Sequence, residues 1–396
     1  MNMESLPLKG ITVVDLTRHR AGPVTSRILA DWGADVVKVE EPIDKGDGMG
    51  GSREGFDYQN LNRNKKSLTV NLKTQQGQNI FRRLVEKADI VLENFRPEVK
   101  YRLGLDYETL RSVNKQIICG SISGFGQTGP YSKRPAVDQI IQGVSGLMSV
   151  TGTKNAGPLR VGAAVADVSA GMTLAHAVLL ALYHREKTKR GQWVYTSLLE
   201  STFALMDFQV ARWLANGEVP VFSGNDHPTL MPTGIVRTRD GVITIAAAED
   251  DKFKLLCRIL GISEICSMPE YADIEARSNN RKQLMHEIQK VASKFTSNDL
   301  IDLLNEAGIP SGPIYDIGEA MCDEQVEHLN VKCTVEHPEL GRMALLGQPM
   351  HLEGCPSANV VRTPAPMHGQ HTRSILVEML GFSEQEVDSF HTENVI

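Results

Sequence analysis

The run Gly10-Ile11-Thr12-Val13-Val14-Asp15-Leu16 decides the fold, together with its continuation: a break at Arg20-Ala21-Gly22-Pro23, the stretch from Val24 to Trp32, then Gly33 and Ala34-Asp35-Val36-Val37-Lys38-Val39-Glu40. The first run is short, apolar and rich in β-branched residues, as a strand buried on both faces requires. Pro23 suits the first turn of a helix, where its missing N–H has no intrahelical partner to lose. Gly33 ends that helix, and the next run is a second strand. Together they make a βαβ unit, whose crossover implies parallel strands and ligands at the strands' carboxyl ends.

The same rhythm continues outward, with strands at Ser67–Leu72, Ile90–Asn94 and Ile117–Ile122 and helices at Gln76–Lys87 and Tyr107–Val113. Pro42–Asn62 interrupts it with an irregular stretch containing Gly46, Gly48, Gly50 and Gly51, a loop length often kept for function. Val168–Glu186 reads as a long helix, apolar almost all round and therefore central and buried. Ser197–Ala215 reads as a second helix, and the turn-forming cluster Gly217–Gly234 marks a boundary. Beyond it come a hairpin across Asp240-Gly241 and helices at Asp251–Leu260, Asn279–Phe295 and Ser297–Ala307, with a last helix at His371–Leu380. The expected fold is α/β. A Rossmann-like large domain with a parallel sheet takes 1–216, a smaller α+β domain with linkers takes 217–330, and 331–396 returns to a large domain.

Composition narrows the function. The 396 residues are 41% hydrophobic and 23% charged, with a formal net charge of -6, so no global basic field recruits nucleic acid or an anionic membrane. Six scattered cysteines form no CxxC pair, which suits reduced thiols and implies no metal site. Met1 to Pro7 lacks a basic stretch leading into an apolar one, and no uninterrupted apolar run reaches about 18 residues. The expectation is a soluble, cytoplasmic protein.

Several ordered blocks carry more. Leu8 to Leu16 with Ala21-Gly22-Pro23, Leu29 to Glu40, Asn62-Arg63-Asn64-Lys65-Lys66-Ser67, Glu93-Asn94-Phe95-Arg96-Pro97 with Arg102-Leu103-Gly104, Gly124-Phe125-Gly126 with Gly129-Pro130-Tyr131, Arg160-Val161-Gly162 leading to Asp167, Gly191-Gln192-Trp193-Val194 and Gly308-Ile309-Pro310 succeed one another along nearly the whole chain. In that order the set resembles the class III CoA-transferases, also called the CaiB/BaiF family. By its residues alone, Asp167 reads as an N-cap of the long helix. The resemblance makes it a carboxylate nucleophile on an acyl-CoA thioester, passing through a mixed anhydride and an aspartyl-CoA thioester. An anhydride hydrolyses, so the site must exclude water. Backbone N–H groups near Arg20-Ala21-Gly22 are the candidate oxyanion donors.

The resemblance also implies the partners. Coenzyme A enters as substrate with a carboxylic acid, and no cofactor is held permanently. Its phosphates and thioester arm are assigned to Arg20, Ala21, Val70, Asn71, Leu72, Lys73, Asn94, Phe95, Arg96, Arg102, Arg134, Val137 and Asp138. No GxGxxG comes after the first strand, which speaks against a dinucleotide. His19, Arg20, His227 and Met231 are assigned to the acid. Formyl-CoA transferases have glutamine where this chain has Arg20, so Arg20 can serve the second carboxylate of a dicarboxylic acid, a CoA phosphate or a structural ion pair. A 2-methylacyl-CoA racemase, the alternative within the family, needs a histidine where this chain has Val137, and valine moves no proton. The family implies an interlaced homodimer. A CoA-binding subunit paired with a related chain is the remaining alternative, and the presence of Asp167 argues against it.

Overall fold

The computed structural model describes residues 6–43, 51–355 and 361–396; Gly46, Gly48 and Gly50 of the expected glycine-rich loop lie outside these. The first βαβ unit forms where the sequence places it: β1 (Thr12–Asp15), α1 (Ala21–Asp31) and β2 (Asp35–Glu40). Pro23 sits in the first turn of α1. The Pro42–Asn62 stretch is not irregular to its end, because 56–62 coil into a short helix α2 (Phe56–Asn62) that lays Tyr58 and Leu61 in the interior. Then come β3 (Lys65–Thr69), α3 (Gln75–Lys87), β4 (Ile90–Glu93), α4 (Pro97–Arg102), α5 (Tyr107–Val113) and β5 (Ile118–Ser123). The chain continues through α6 (Asp138–Val144), α7 (Leu147–Val150), a two-residue ladder β6 (Gly152–Thr153) and β7 (Gly157–Pro158), and α8 (Val165–Thr188). β8 (Trp193–Ser197), α9 (Leu198–Met206) and α10 (Phe208–Asn216) complete this half. The sequence reading runs one helix across 197–215. The structure instead starts a strand at Trp193 and breaks the helix at Asp207, whose backbone takes φ 36°.

The main sheet has the order β3-β2-β1-β4-β5-β8, and every pair is parallel. That is a doubly wound arrangement whose order reverses between β1 and β4, so the crevice beyond Asp15 and Glu93 is the place for a ligand. Apolar clusters cover both faces: one joins β1, β4 and β5 to α1 and α8, the other joins them to α3, α5 and residues 375–395.

A polar hub holds the carboxyl end of β1. Asp15 is completely buried and accepts from Lys65 Nζ (3.1 Å), Ser26 Oγ (2.6 Å) and Thr17 Oγ1 (2.5 Å). Burial alone would raise its carboxyl, but Lys65 and Lys38 with the two hydroxyls outweigh it and hold the pKa below the ordinary value. Arg63 makes a fork to both oxygens of buried Asp31 (3.1 and 2.7 Å), and Asn64 adds a third bond. Asn64 also accepts from the backbone of Arg362 and Thr363, tying the late chain to this sheet.

The described residues divide into two compact units, Met1–Leu147 with Val161–Leu214 and Glu327–Ile396, and Met148–Arg160 with Ala215–Val326. The sequence division places 148–160 in the large domain. The structure groups it with the second unit, where the Gly224 N–H donates to Gly152 O. The second unit is built on a three-stranded antiparallel sheet of β9 (Thr233–Arg237), β10 (Val242–Ala246) and β11 (Ser311–Pro313), with 238–241 turning the hairpin. Helices α11 (Asp250–Leu260), α13 (Arg281–Ala292) and α14 (Ser297–Glu306) contribute to its core, and α12 (Ile274–Asn279) adds the buried Arg277. In the first unit the late chain adds a hairpin, Lys332–His337 with Gly341–Leu346, and a C-terminal helix, Glu384–Thr392, neither of which the sequence reading anticipates.

α8 departs from expectation. Ala166, Ala170, Leu174, Val178 and Ala181 face the sheet, but Met172, Leu179, Leu180 and Tyr183 are exposed on the opposite side. Among the described residues it is the one helix long and apolar enough to cross a membrane, and its inner face is part of the core.

The hub gives a direct test. Asp15→Asn leaves the Lys65 ammonium buried without its anion, so chemical denaturation at pH 7 is expected to show a loss of about 3–5 kcal/mol. A carboxyl lowered in the folded state stabilises above its unfolded pKa and loses that contribution on acidification. The gap between wild type and variant should therefore narrow below about pH 4.

Candidate active site

α1 and α8 meet closely at Gly171. A Cβ at Gly171 would lie 2.5 Å from Ala21 O and 2.7 Å from Val24 Cβ, so only glycine fits there. Thr25 Oγ1 donates to Gly171 O at 2.9 Å across the same contact. Asp167 lies one turn before Gly171, and Arg20 immediately precedes Ala21. The contact thus brings the first turn of α8 beside the start of α1.

Asp167 is not the N-cap that the residues alone suggest. Ala164 holds the cap position without a side-chain bond, and Asp167 is the third residue of the helix. The capping carboxylate comes from α6 instead: Asp138 Oδ1 accepts from the N–H of Ala166 (2.8 Å) and of Asp167 (3.4 Å). Asp138 Oδ2 accepts from Gln142 Nε2 at 2.7 Å. The side chain assigned to coenzyme A is therefore committed to the helix start. Burial, with the neighbouring Asp138 charge, pushes the Asp167 carboxyl up to about 6, against the opposing pull of Arg20. At pH 7 it is largely ionised yet poorly solvated, which suits a nucleophile.

Arg20 donates Nη2 to Asp57 Oδ2 at 2.6 Å, so the ion-pair reading of Arg20 is realised through α2. Its helix start leaves the N–H groups of Ala21 and Gly22 without intrahelical partners. Sequence reasoning missed Arg27, two turns along α1. Its Nε is buried with no hydrogen-bond partner, and burial together with Arg63 lowers its pKa to about 10. The i, i+7 spacing from Arg20 was the signal available for it.

At the switch point Asn94 locks the loops after β1 and β4 to one another, accepting from Arg18 N (3.0 Å) and donating to Arg18 O (2.7 Å). His19, in the turn it fixes, is exposed with φ 65°. Phe95 N donates to Glu93 Oε2, and Phe95 packs partly into the core. Arg96 and Arg102 are exposed at the two ends of α4. Val70 and Leu72 contribute to the core, whereas Asn71 and Lys73 line a cavity of about 640 Å³ with Glu41, His391 and Ile396. Arg134 stacks on Tyr131 at 3.6 Å, and Val137 is the exposed N-cap of α6.

The two remaining assignments fall in the second unit. His227 Nδ1 accepts from the N–H of Thr229 (3.2 Å) and Leu230 (3.0 Å) within its own turn. Met231 is wholly buried in that unit's core, so its side chain is packing and the substrate assignment is corrected.

Residues 8–372 match the model of CoA-transferase family III. The chain belongs to that family. It is 36% identical over 386 residues to the succinate–glutarate CoA-transferase of Agrobacterium fabrum, covering 94% of this chain and 96% of that one. It is 34% identical to the acetyl-CoA:oxalate CoA-transferase of Acetobacter aceti, covering 88% and 90%. A crystal structure of a CaiB/BaiF family protein from Brucella suis superposes with a TM-score of 0.82 at 33% identity, covering 95% of this chain and all of that one. The α/β fold and the CoA-transferase activity are those of the family.

The raised Asp167 carboxyl has a measurable consequence. A pKa that is higher folded than unfolded means the folded state binds the proton more tightly between about pH 4 and 6, so its stabilising share is lost as pH rises through that window. Asp167→Asn does not titrate. Its melting temperature should rise relative to wild type from pH 4 to pH 7, by the equivalent of about 1–2 kcal/mol at the upper end.

Proposed function

We propose that the CoA-transferase acts through Asp167 as the carboxylate nucleophile and takes dicarboxylic acids. The observation that carries the first part is the Asp167 carboxylate itself: raised to about 6, placed in the first turn of α8, with Arg20 beside it. Attack on the acyl-CoA carbonyl forms a mixed anhydride and expels the CoA thiolate. The thiolate attacks the aspartyl carbonyl, giving an aspartyl-CoA thioester and releasing the donor acid. The acceptor carboxylate then attacks the aspartyl carbonyl, expelling the thiolate and forming a second mixed anhydride. The thiolate attacks the acceptor carbonyl of that anhydride, giving the new acyl-CoA and the free Asp167 carboxylate. The N–H groups of Ala21 and Gly22 are the proposed donors to the oxyanions.

Coenzyme A is proposed to place its nucleotide end among Asn71, Lys73, Arg96 and Arg102, where exposed cations and a cavity adjoin the carboxyl ends of the strands. For the acid, Arg20, immediately before α1, supports a dicarboxylate because it keeps donors beyond its bond to Asp57. The named activities of the Agrobacterium and Acetobacter relatives, both on dicarboxylates, support it too. We also propose the homodimer, on the exposed apolar face of α8 and on Trp213 and Leu214 of α10, which a single chain leaves in water.

Succinyl-CoA with hydroxylamine should yield a hydroxamate on the peptide holding Asp167, and Asp167→Ala should lose at least about 1,000-fold in kcat. Wild-type kcat should fall on acidification with a limb near pH 6. Labelling of a different carboxylate would end the assignment. For the acid, Arg20→Gln should lower the kcat/KM ratio of succinate over butyrate by about 10-fold. An unchanged ratio removes Arg20 from acid selection.

A further inference from the structure

Gln142 has no part in the ligand contacts proposed for the site, yet it is completely buried and every polar atom of its amide is used. Nε2 donates to Asp138 Oδ2 (2.7 Å) and approaches Ala163 O (3.4 Å), while Oε1 accepts from the Val161 N–H (2.8 Å). Asp138 in turn holds the N–H groups of Ala166 and Asp167. The two side chains are four residues apart on α6, one above the other on one face. Between them they hold four backbone groups of the segment 161–167, through which the chain enters α8.

We infer that Asp138 and Gln142 are a positioning pair for the transfer reaction, fixing the backbone that presents the Asp167 carboxylate. The inference rests on the reading of Asp167 as nucleophile and adds a device that sets its direction. Three features make the pair more than ordinary packing. A side-chain carboxylate from another helix replaces the missing cap at Ala164, so the first turn of α8 is held from outside. The amide orientation is forced, because Oε1 must accept from Val161 while Nε2 must donate to Asp138. The pair also delivers a negative charge to the turn that carries the nucleophile. The groups acting on the Asp167 carboxyl are Asp138 from α6, which raises it, and Arg20 from the start of α1, which lowers it. The hydrogen-bonded carboxylate thus aligns the helix start while keeping Asp167 more basic than an exposed aspartate.

The test combines single and exchanged variants, read with purified full-length protein. Gln142→Leu is expected to lower kcat about 10- to 100-fold while KM for succinyl-CoA stays within about 2-fold, since the ligand contacts lie elsewhere. Asp138→Asn leaves two amide NH₂ groups facing one another, whereas Asp138→Asn combined with Gln142→Glu rebuilds the bond with the charge moved to α6's next turn. The exchange is expected to recover most of the kcat lost in Gln142→Glu alone, with the acid limb displaced to lower pH than in wild type. Hydroxylamine labelling in wild type separates the two ideas. If Asp167 is not labelled, the nucleophile reading fails. If Asp167 is labelled but Gln142→Leu turns over as wild type and the exchanged variant keeps the wild-type limb, the positioning inference alone is overturned. A Gln142→Leu protein that melts earlier with unchanged kcat and limb overturns it equally.

Discussion

Asp15 ends β1 as a fully buried carboxylate, and the first unit is organised around keeping that charge satisfied. Ser26 reaches it from α1, Thr17 from the adjoining loop and Lys65 from the first residue of β3, while Lys38 on β2 binds the Thr17 carbonyl. A buried ion stripped of its partners costs several kcal/mol, so these elements form together or the charge stays unpaired. The requirement fixes where α1 begins relative to β1, and hence where Arg20, Ala21 and Gly22 stand. The switch-point crevice has its walls set by this hub on one side and by the Asn94–Arg18 clasp on the other.

From that frame, two helix starts are held side by side. The absence of a side chain at Gly171 lets α8 approach α1, and the approach places a guanidinium and a carboxylate near one another without a direct bond between them. Arg20 is instead tethered to Asp57, which leaves Asp167 influenced by a cation but not neutralised by it. Burial and Asp138 push in the opposite direction. The result is a carboxylate that is ionised at neutral pH and more basic than an exposed aspartate.

Much of this was legible in the sequence because it depends on local pattern. The β-branched runs and the position of Pro23 marked the βαβ start, and the ordered blocks pointed to the family. What was not legible depends on partners far apart in the chain. The block Asn62–Ser67 marked the family without showing its role, and Arg63, Asn64, Lys65 and Lys66 serve Asp31, Asp15 and Asp35. Asp138 looked like a coenzyme contact, and it caps a helix 28 residues away. Met231 was assigned to the acid with its loop, but its side chain fills a core built by residues on both sides of it. The α8 periodicity was apolar all round, and periodicity alone does not say which side a sheet will cover.

The Arg20–Asp57 pair joins two parts of very different standing. Arg20 opens a helix locked into the sheet by Asp15 and Gly171, whereas Asp57 lies on a separate seven-residue helix and is not among the residues it buries. A substitution at 57 changes the charge left on the guanidinium without disturbing the strand hub, the glycine contact or the α6 clamp. The guanidinium can therefore be retuned by single replacements on α2 while the Asp167 carboxylate keeps its setting. A scaffold so divided lets one charge of a pair change while the frame that holds the other stays fixed.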